Sequence, residues 1–169
     1  MGSNTSRNAG TQGLLDALRR IVQVVRESSR MAERRFGLSG AQLFVLQKLS
    51  ESSAISLNEL ARLTHTHQSS VSTVVTRLVA CGLVRRVKSE RDARMLELTL
   101  TLAGARVQRQ SPDAAQVRII RAFQSLPPSR RKALVSALGD IAKAVGGSAG
   151  HPAMLLEDGP QRKHRRSDR

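Results

Sequence analysis

Apolar residues recur at helical spacing through most of the chain and switch to strict alternation in one short stretch. Leu14, Leu18, Ile21, Val22, Val25, Met31, Ala32 and Phe36 form a stripe about six turns long, which predicts an amphipathic helix with one buried face. Gly37 ends it, and a second helix is expected from Ser39 to about Glu51, with Leu43, Phe44, Leu46 and Leu49 turned inward. Ser56 and Glu59 stand in the S-x-x-E capping-box relation at the head of a third helix, whose Leu57, Leu60, Ala61 and Leu63 face the core and which ends near Thr64. A fourth follows almost at once, from about His67 to Cys81, and is stopped by Gly82.

Alternation takes over at Leu83–Val87 and again at Leu96, Leu98 and Leu100, interleaved with Glu97 and Thr99. This is the signature of a two-stranded hairpin, with the charged loop KSERDAR between its arms. Thr101 then caps a fifth helix, which Ser111–Pro112–Asp113 interrupts. Ser111 as cap and Pro112 at the first helical position are expected to restart it with a bend, carrying Val117, Ile120 and Phe123. Pro127–Pro128 breaks the chain, and a last helix presents Leu134, Leu138, Ile141 and Val145 before Gly146–Gly147. The terminal helices have apolar stripes without an evident partner beyond the first helix, so they are expected to pack against a second copy of the chain.

These elements divide the chain into an unstructured N-terminus (1–13), a first dimerisation helix (14–37), a central unit of short helices and hairpin (38–101), further dimerisation helices (102–146) and a disordered basic tail (147–169). The fold class is mainly α with a small antiparallel β-hairpin. No internal repeat is visible.

On the fourth helix, Val71, Val74, Val75 and Leu78 fall on one side, and Ser69, Ser72, Thr73, Thr76 and Arg77 on the other. The second face is short, hydroxylated and free of acids, which permits close approach to the floor of a DNA major groove. A solvated hydroxyl face is the plain alternative, but a helix, a tight turn, a second helix and an arginine-bearing hairpin in succession favour DNA. In the hairpin loop Arg91 and Arg94 can reach a minor groove, with Asp92 as an internal brace that holds an arginine extended. A solvated tip of mixed charge is the alternative there.

Charge strengthens this picture. The 169 residues hold 28 Lys and Arg against 13 Asp and Glu, a net charge of +15 that favours a polyanionic partner. The last ten residues account for +4 of it, which leaves +11 on the rest. Three Phe with no Trp or Tyr argue for duplex rather than single-stranded nucleic acid, whose binders stack bases on aromatic rings. One cysteine, Cys81, allows no internal disulfide. No stretch approaches the roughly 18 apolar residues of a membrane span, and the polar start has no signal pattern. The expected setting is the cytoplasm, on the nucleoid. His65, His67 and Cys81 make no convincing metal site, because two histidines at i, i+2 in a turn diverge. No phosphate loop, nucleophile elbow or carboxylate pair suggests an enzyme, and no cofactor is expected.

The residues Asp92, Arg94, Leu98, Leu100, Thr101 and Gly104, after a helix ending Cys-Gly-Leu-Val-Arg at 81–85, resemble the MarR (multiple antibiotic resistance regulator) family of winged helix-turn-helix transcription factors. The resemblance covers roughly residues 14–146. It implies a homodimer held by the terminal helices, with a winged domain on each arm, that acts as a repressor on a pseudo-palindromic operator. His67, Gln68, Ser69, Ser70, Ser72, Thr73, Thr76 and Arg77 are then the recognition-helix candidates, and Lys88, Arg91, Asp92 and Arg94 those of the wing. An arginine often found at the position of Thr73 is missing, so modest base readout and greater reliance on DNA shape are expected. The resemblance further implies release by a small aromatic ligand in a pocket near Met31, Phe36, Phe44 and Phe123, although these residues equally suit an ordinary core. The other readings are a non-sequence-specific architectural DNA binder, a winged domain that binds only protein, and a regulator that responds to oxidation of Cys81.

Overall fold

The computed structural model describes residues 2–52, 54–89, 95–146 and 154–155, with side chains from Gly10 onward. Among the described residues, seven helices and three strands follow one another as α1 (Gly2–Phe36), α2 (Gly40–Ser50), β1 (Ile55–Ser56), α3 (Leu57–Leu63), α4 (Gln68–Ala80), β2 (Val84–Lys88), β3 (Leu96–Leu100), α5 (Leu102–Gln110), α6 (Ala115–Gln124) and α7 (Pro128–Ala144).

The centre is α2, whose Ala41, Leu43, Val45 and Leu46 are wholly inaccessible to solvent. Its sequence pattern suggested one inward face, yet the helix is covered on all sides, by α1, α4, α5 and α6. Ser39 and Gln42 start it with a reciprocal capping box, the Ser39 hydroxyl accepting from the Gln42 amide (3.2 Å) while the Gln42 side chain accepts from the Ser39 amide (2.8 Å). At α3 the Ser56 hydroxyl accepts from the Glu59 amide (3.2 Å), which is one half of the expected box. Leu60, Val71, Val74, Val75, Leu78, Val84 and Leu98 close the core around α2. The four α4 residues assigned inward from periodicity are all buried.

The expected hairpin is part of a three-stranded antiparallel sheet in the order β1-β3-β2. Ile55 pairs with Leu98 on one edge of β3, and Val84 pairs with Leu100 on the other. A two-residue strand carries no alternation to detect, so β1 is set by its long-range partner. The junction from β3 to α5 explains the Leu-Thr-x-x-Gly run. The Thr101 amide donates to the Leu83 carbonyl (3.0 Å), its hydroxyl donates to the Gly82 carbonyl (2.7 Å) and accepts from the Gly104 amide (3.0 Å). A Cβ on Gly104 would lie 2.0 Å from the Leu83 oxygen, so only glycine lets α5 seat against the strand.

Two expectations need correction. Helix α1 begins at Gly2, across the twelve or so residues read as unstructured; no proline interrupts them, and extending a formed helix is far easier than nucleating one. Pro112 does not open the next helix. Ser111 ends α5, and α6 starts at Ala115, because its free amides are capped from elsewhere in the fold: Gln47 Oε1 accepts from the Ala114 amide (2.9 Å) and Ser28 Oγ from the Ala115 amide (3.1 Å). Gln47 also donates to the Pro112 carbonyl (2.8 Å), so one buried side chain of α2 fixes the bend. The expected hairpin stands as β2 and β3, with the two-residue β1 added on the far edge of β3.

The long helices contrast with this core. Leu14, Leu15, Leu18, Ile21 and Val22 on α1 remain 38–50% exposed, and no residue of α7 is buried. Among the described residues no helix is long and apolar enough to cross a membrane.

Candidate nucleic-acid interface

The turn between α3 and α4 sets how α4 projects. The Thr66 amide donates to the Ala61 carbonyl (3.0 Å) and the His65 amide to the Arg62 carbonyl (3.1 Å), the paired bonds of a Schellman ending. That ending needs a left-handed residue, and here it is His65 at φ 52° rather than glycine. Sequence inspection offers no signal for it. His67 is the N-cap residue of α4 and is exposed.

With Val71, Val74, Val75 and Leu78 anchored, α4 presents Gln68, Ser69, Thr73 and Thr76 to solvent, and Ser70, Ser72 and Arg77 half-buried beside them. No acid lies on the helix. The Thr73 hydroxyl donates back to the Ser69 carbonyl (3.3 Å), so it remains an acceptor toward a partner. These positions form one continuous face, as the helical increment implied.

The strand β2 extends that face. Arg86 is exposed and donates to the Thr76 hydroxyl across a 3.4 Å gap, which ties a wing cation to the outer surface of α4. It was missed in the sequence reading, although alternation from buried Val84 puts Arg86 and Lys88 on one side of the strand. Arg85, on the other side, donates to the Thr99 hydroxyl (3.1 Å). Lys88 is exposed at the end of β2. The wing narrows where the Ser89 amide donates to the Met95 carbonyl (2.9 Å), and the Ser89 hydroxyl donates to Glu97 (2.6 Å), which engages the acid nearest the strand end. Arg91, Asp92 and Arg94 lie outside the described residues, as does the proposed brace between them.

Three of the four expected ligand residues border three separate concavities. Phe44 lines a cavity of about 320 Å³ beneath the turn from Thr64 to His67. Met31 borders a surface concavity among arginines of α1, and Phe123 another beside α7. Phe36 packs against the core, with the Arg35 guanidinium 5.3 Å from its ring centroid. Cys81 is the C-cap residue of α4 and is exposed. Among the described residues no group of three or more His, Cys, Asp or Glu side chains is placed to hold a metal ion.

Comparison with known proteins bears on this geometry. Residues 36–95 match the model of the MarR family, a span from the end of α1 to the residue before β3. Among solved structures the chain is similar to the MarR family transcriptional regulator Sco3205 of Streptomyces coelicolor, determined in complex with DNA (26% identity, 88% of this chain and 93% of that one, TM-score 0.54). It is also similar to BpsR of Bordetella bronchiseptica, whose DNA binding is regulated by 6-hydroxynicotinic acid (26% identity, 78% and 91%, TM-score 0.52). The YusO protein of Bacillus subtilis shares the fold (21% identity, 85% and 99%, TM-score 0.51). No curated protein matches the sequence.

Proposed function

We propose, from the premise that this chain is a DNA-binding transcriptional regulator with a MarR-family winged helix-turn-helix, that it works as a homodimeric repressor reading a pseudo-palindromic operator. The observation that carries the reading is the Arg86–Thr76 contact, which joins the acid-free face of α4 to the basic side of β2 in one surface. In this reading α4 lies in the major groove, where Gln68 and Arg77 supply the long side chains for paired hydrogen bonds and the serines and threonines contact phosphates. Arg86 and Lys88 follow the backbone toward the minor groove, which Arg94 enters.

Two copies are invoked because α1 and α7 each leave an apolar face open. Burying such half-exposed side chains is worth on the order of 1 kcal/mol each, enough in aggregate to hold a dimer. Release by a small aromatic ligand is supported by the similarity to BpsR and by the cavity at Phe44, which adjoins the turn that aims α4. The test is fluorescence anisotropy at fixed salt with duplex from the chain's own upstream region and with random duplex. A preference of about a thousandfold is expected. A ratio near one would favour an architectural binder, and no duplex binding would favour a protein-binding winged domain. In the same assay Arg86→Ala should lower the salt slope by about one and weaken both duplexes alike.

A further inference from the structure

The cavity beneath the α3–α4 turn takes part of its wall from far along the chain. Met154 is only 6% exposed and belongs to the same apolar cluster as Phe44 and Val117. The next residue is held as well, because Gln116 Nε2 of α6 donates to the Leu155 carbonyl (2.7 Å). Both residues line the cavity together with the turn residues Thr64 to His67. This contact was not expected from the composition of residues 147–169, and DNA recognition by α4 does not account for it.

We propose that Met154–Leu155 is a latch, held on α6 through Gln116, that walls the cavity behind the turn between α3 and α4 and thereby sets the affinity of α4 for DNA. The DNA half of this inference rests on the function proposed above. Methionine suits the role, since its unbranched thioether fills an irregular gap. With Met154 withdrawn, the cavity under the turn loses one of its apolar walls, while the left-handed His65 keeps its backbone hydrogen bond. Gln116 is 7% exposed, and its Oε1 has no hydrogen-bond donor among the described residues. A molecule that displaces the latch therefore gains by bringing an apolar body together with an N–H or O–H for Gln116.

The experiment uses the full chain labelled with ¹³C at the methyl groups of its four methionines, Met154 being assigned through Met154→Leu. The latch predicts a Met154 methyl shifted by the Phe44 ring, with cross-relaxation to that ring and protection from a soluble paramagnetic agent. A methyl at its free position overturns the proposal. So does cross-relaxation that appears only between differently labelled copies, which would give the cavity to a neighbour's tail. For the coupling, Met154→Ser should change the affinity for the upstream duplex by about threefold or more with the salt slope unchanged, while Met154→Leu stays near the wild type. Equal affinities for wild type and Met154→Ser contradict it. If the wild-type chain does not distinguish its upstream duplex from random DNA, the function proposed above fails, and the methyl readout still decides whether the latch exists.

Discussion

The winged unit and the long helices are built from the same apolar residue types but stand in opposite states. Around α2, Leu43, Val45, Leu46, Leu60, Val71 and Leu78 show no solvent exposure at all. On α7, Leu134, Val135, Leu138 and Ile141 are 38–60% exposed, although their spacing is as regular. A single chain therefore buries the apolar faces of the winged unit and leaves those of the long helices open to solvent. Periodicity tells which face of a helix is apolar, and only the tertiary structure tells whether that face has found its partner.

Substitutions can break this contrast in order of size. Leu46→Ala removes a fully buried side chain and should cost about 3 kcal/mol in chemical denaturation, by the same amount at every protein concentration. Gly104→Ala forces a Cβ against the Leu83 carbonyl and should cost about 2 kcal/mol, with the loss read in the same denaturation curves. Leu138→Ser on α7 should cost about 1 kcal/mol per protomer, and here the apparent melting temperature must depend on protein concentration, since the loss falls on association. A concentration-independent loss would mean that α7 packs within its own chain. Smallest is His65→Gly, which relieves a left-handed histidine at the cost of a more flexible unfolded chain and should stabilise by about 0.5 kcal/mol. A destabilised His65→Gly variant would show that the imidazole itself is needed at the turn.

Much of the winged unit was legible. Val71, Val74, Val75 and Leu78 on one side of α4, with the hydroxyl residues on the other, follow from the helical increment alone. The cap at Thr101 and the glycine stops at Gly37 and Gly82 were equally plain, because each depends on residues next to one another in sequence. What escaped depends on distance. The cap of α6 comes from Gln47 and Ser28, β1 exists through Leu98, and the burial of Met154 requires α6 to be in place. The left-handed ending of α3 was hidden for another reason, since it uses histidine where glycine is the usual sign. Of the interface, the α4 face could be assigned residue by residue, whereas Arg86 emerged only once the strand was set beside Thr76.

The most direct test is hydroxyl-radical footprinting of the wild-type chain on its own upstream DNA. Two protected half-sites related by a dyad, with centres about 34 Å apart along the duplex or a multiple of that, are the predicted result. Protection of one asymmetric half-site, or uniform protection with no preferred register, would contradict a paired set of α4 helices and wings as the reading surface.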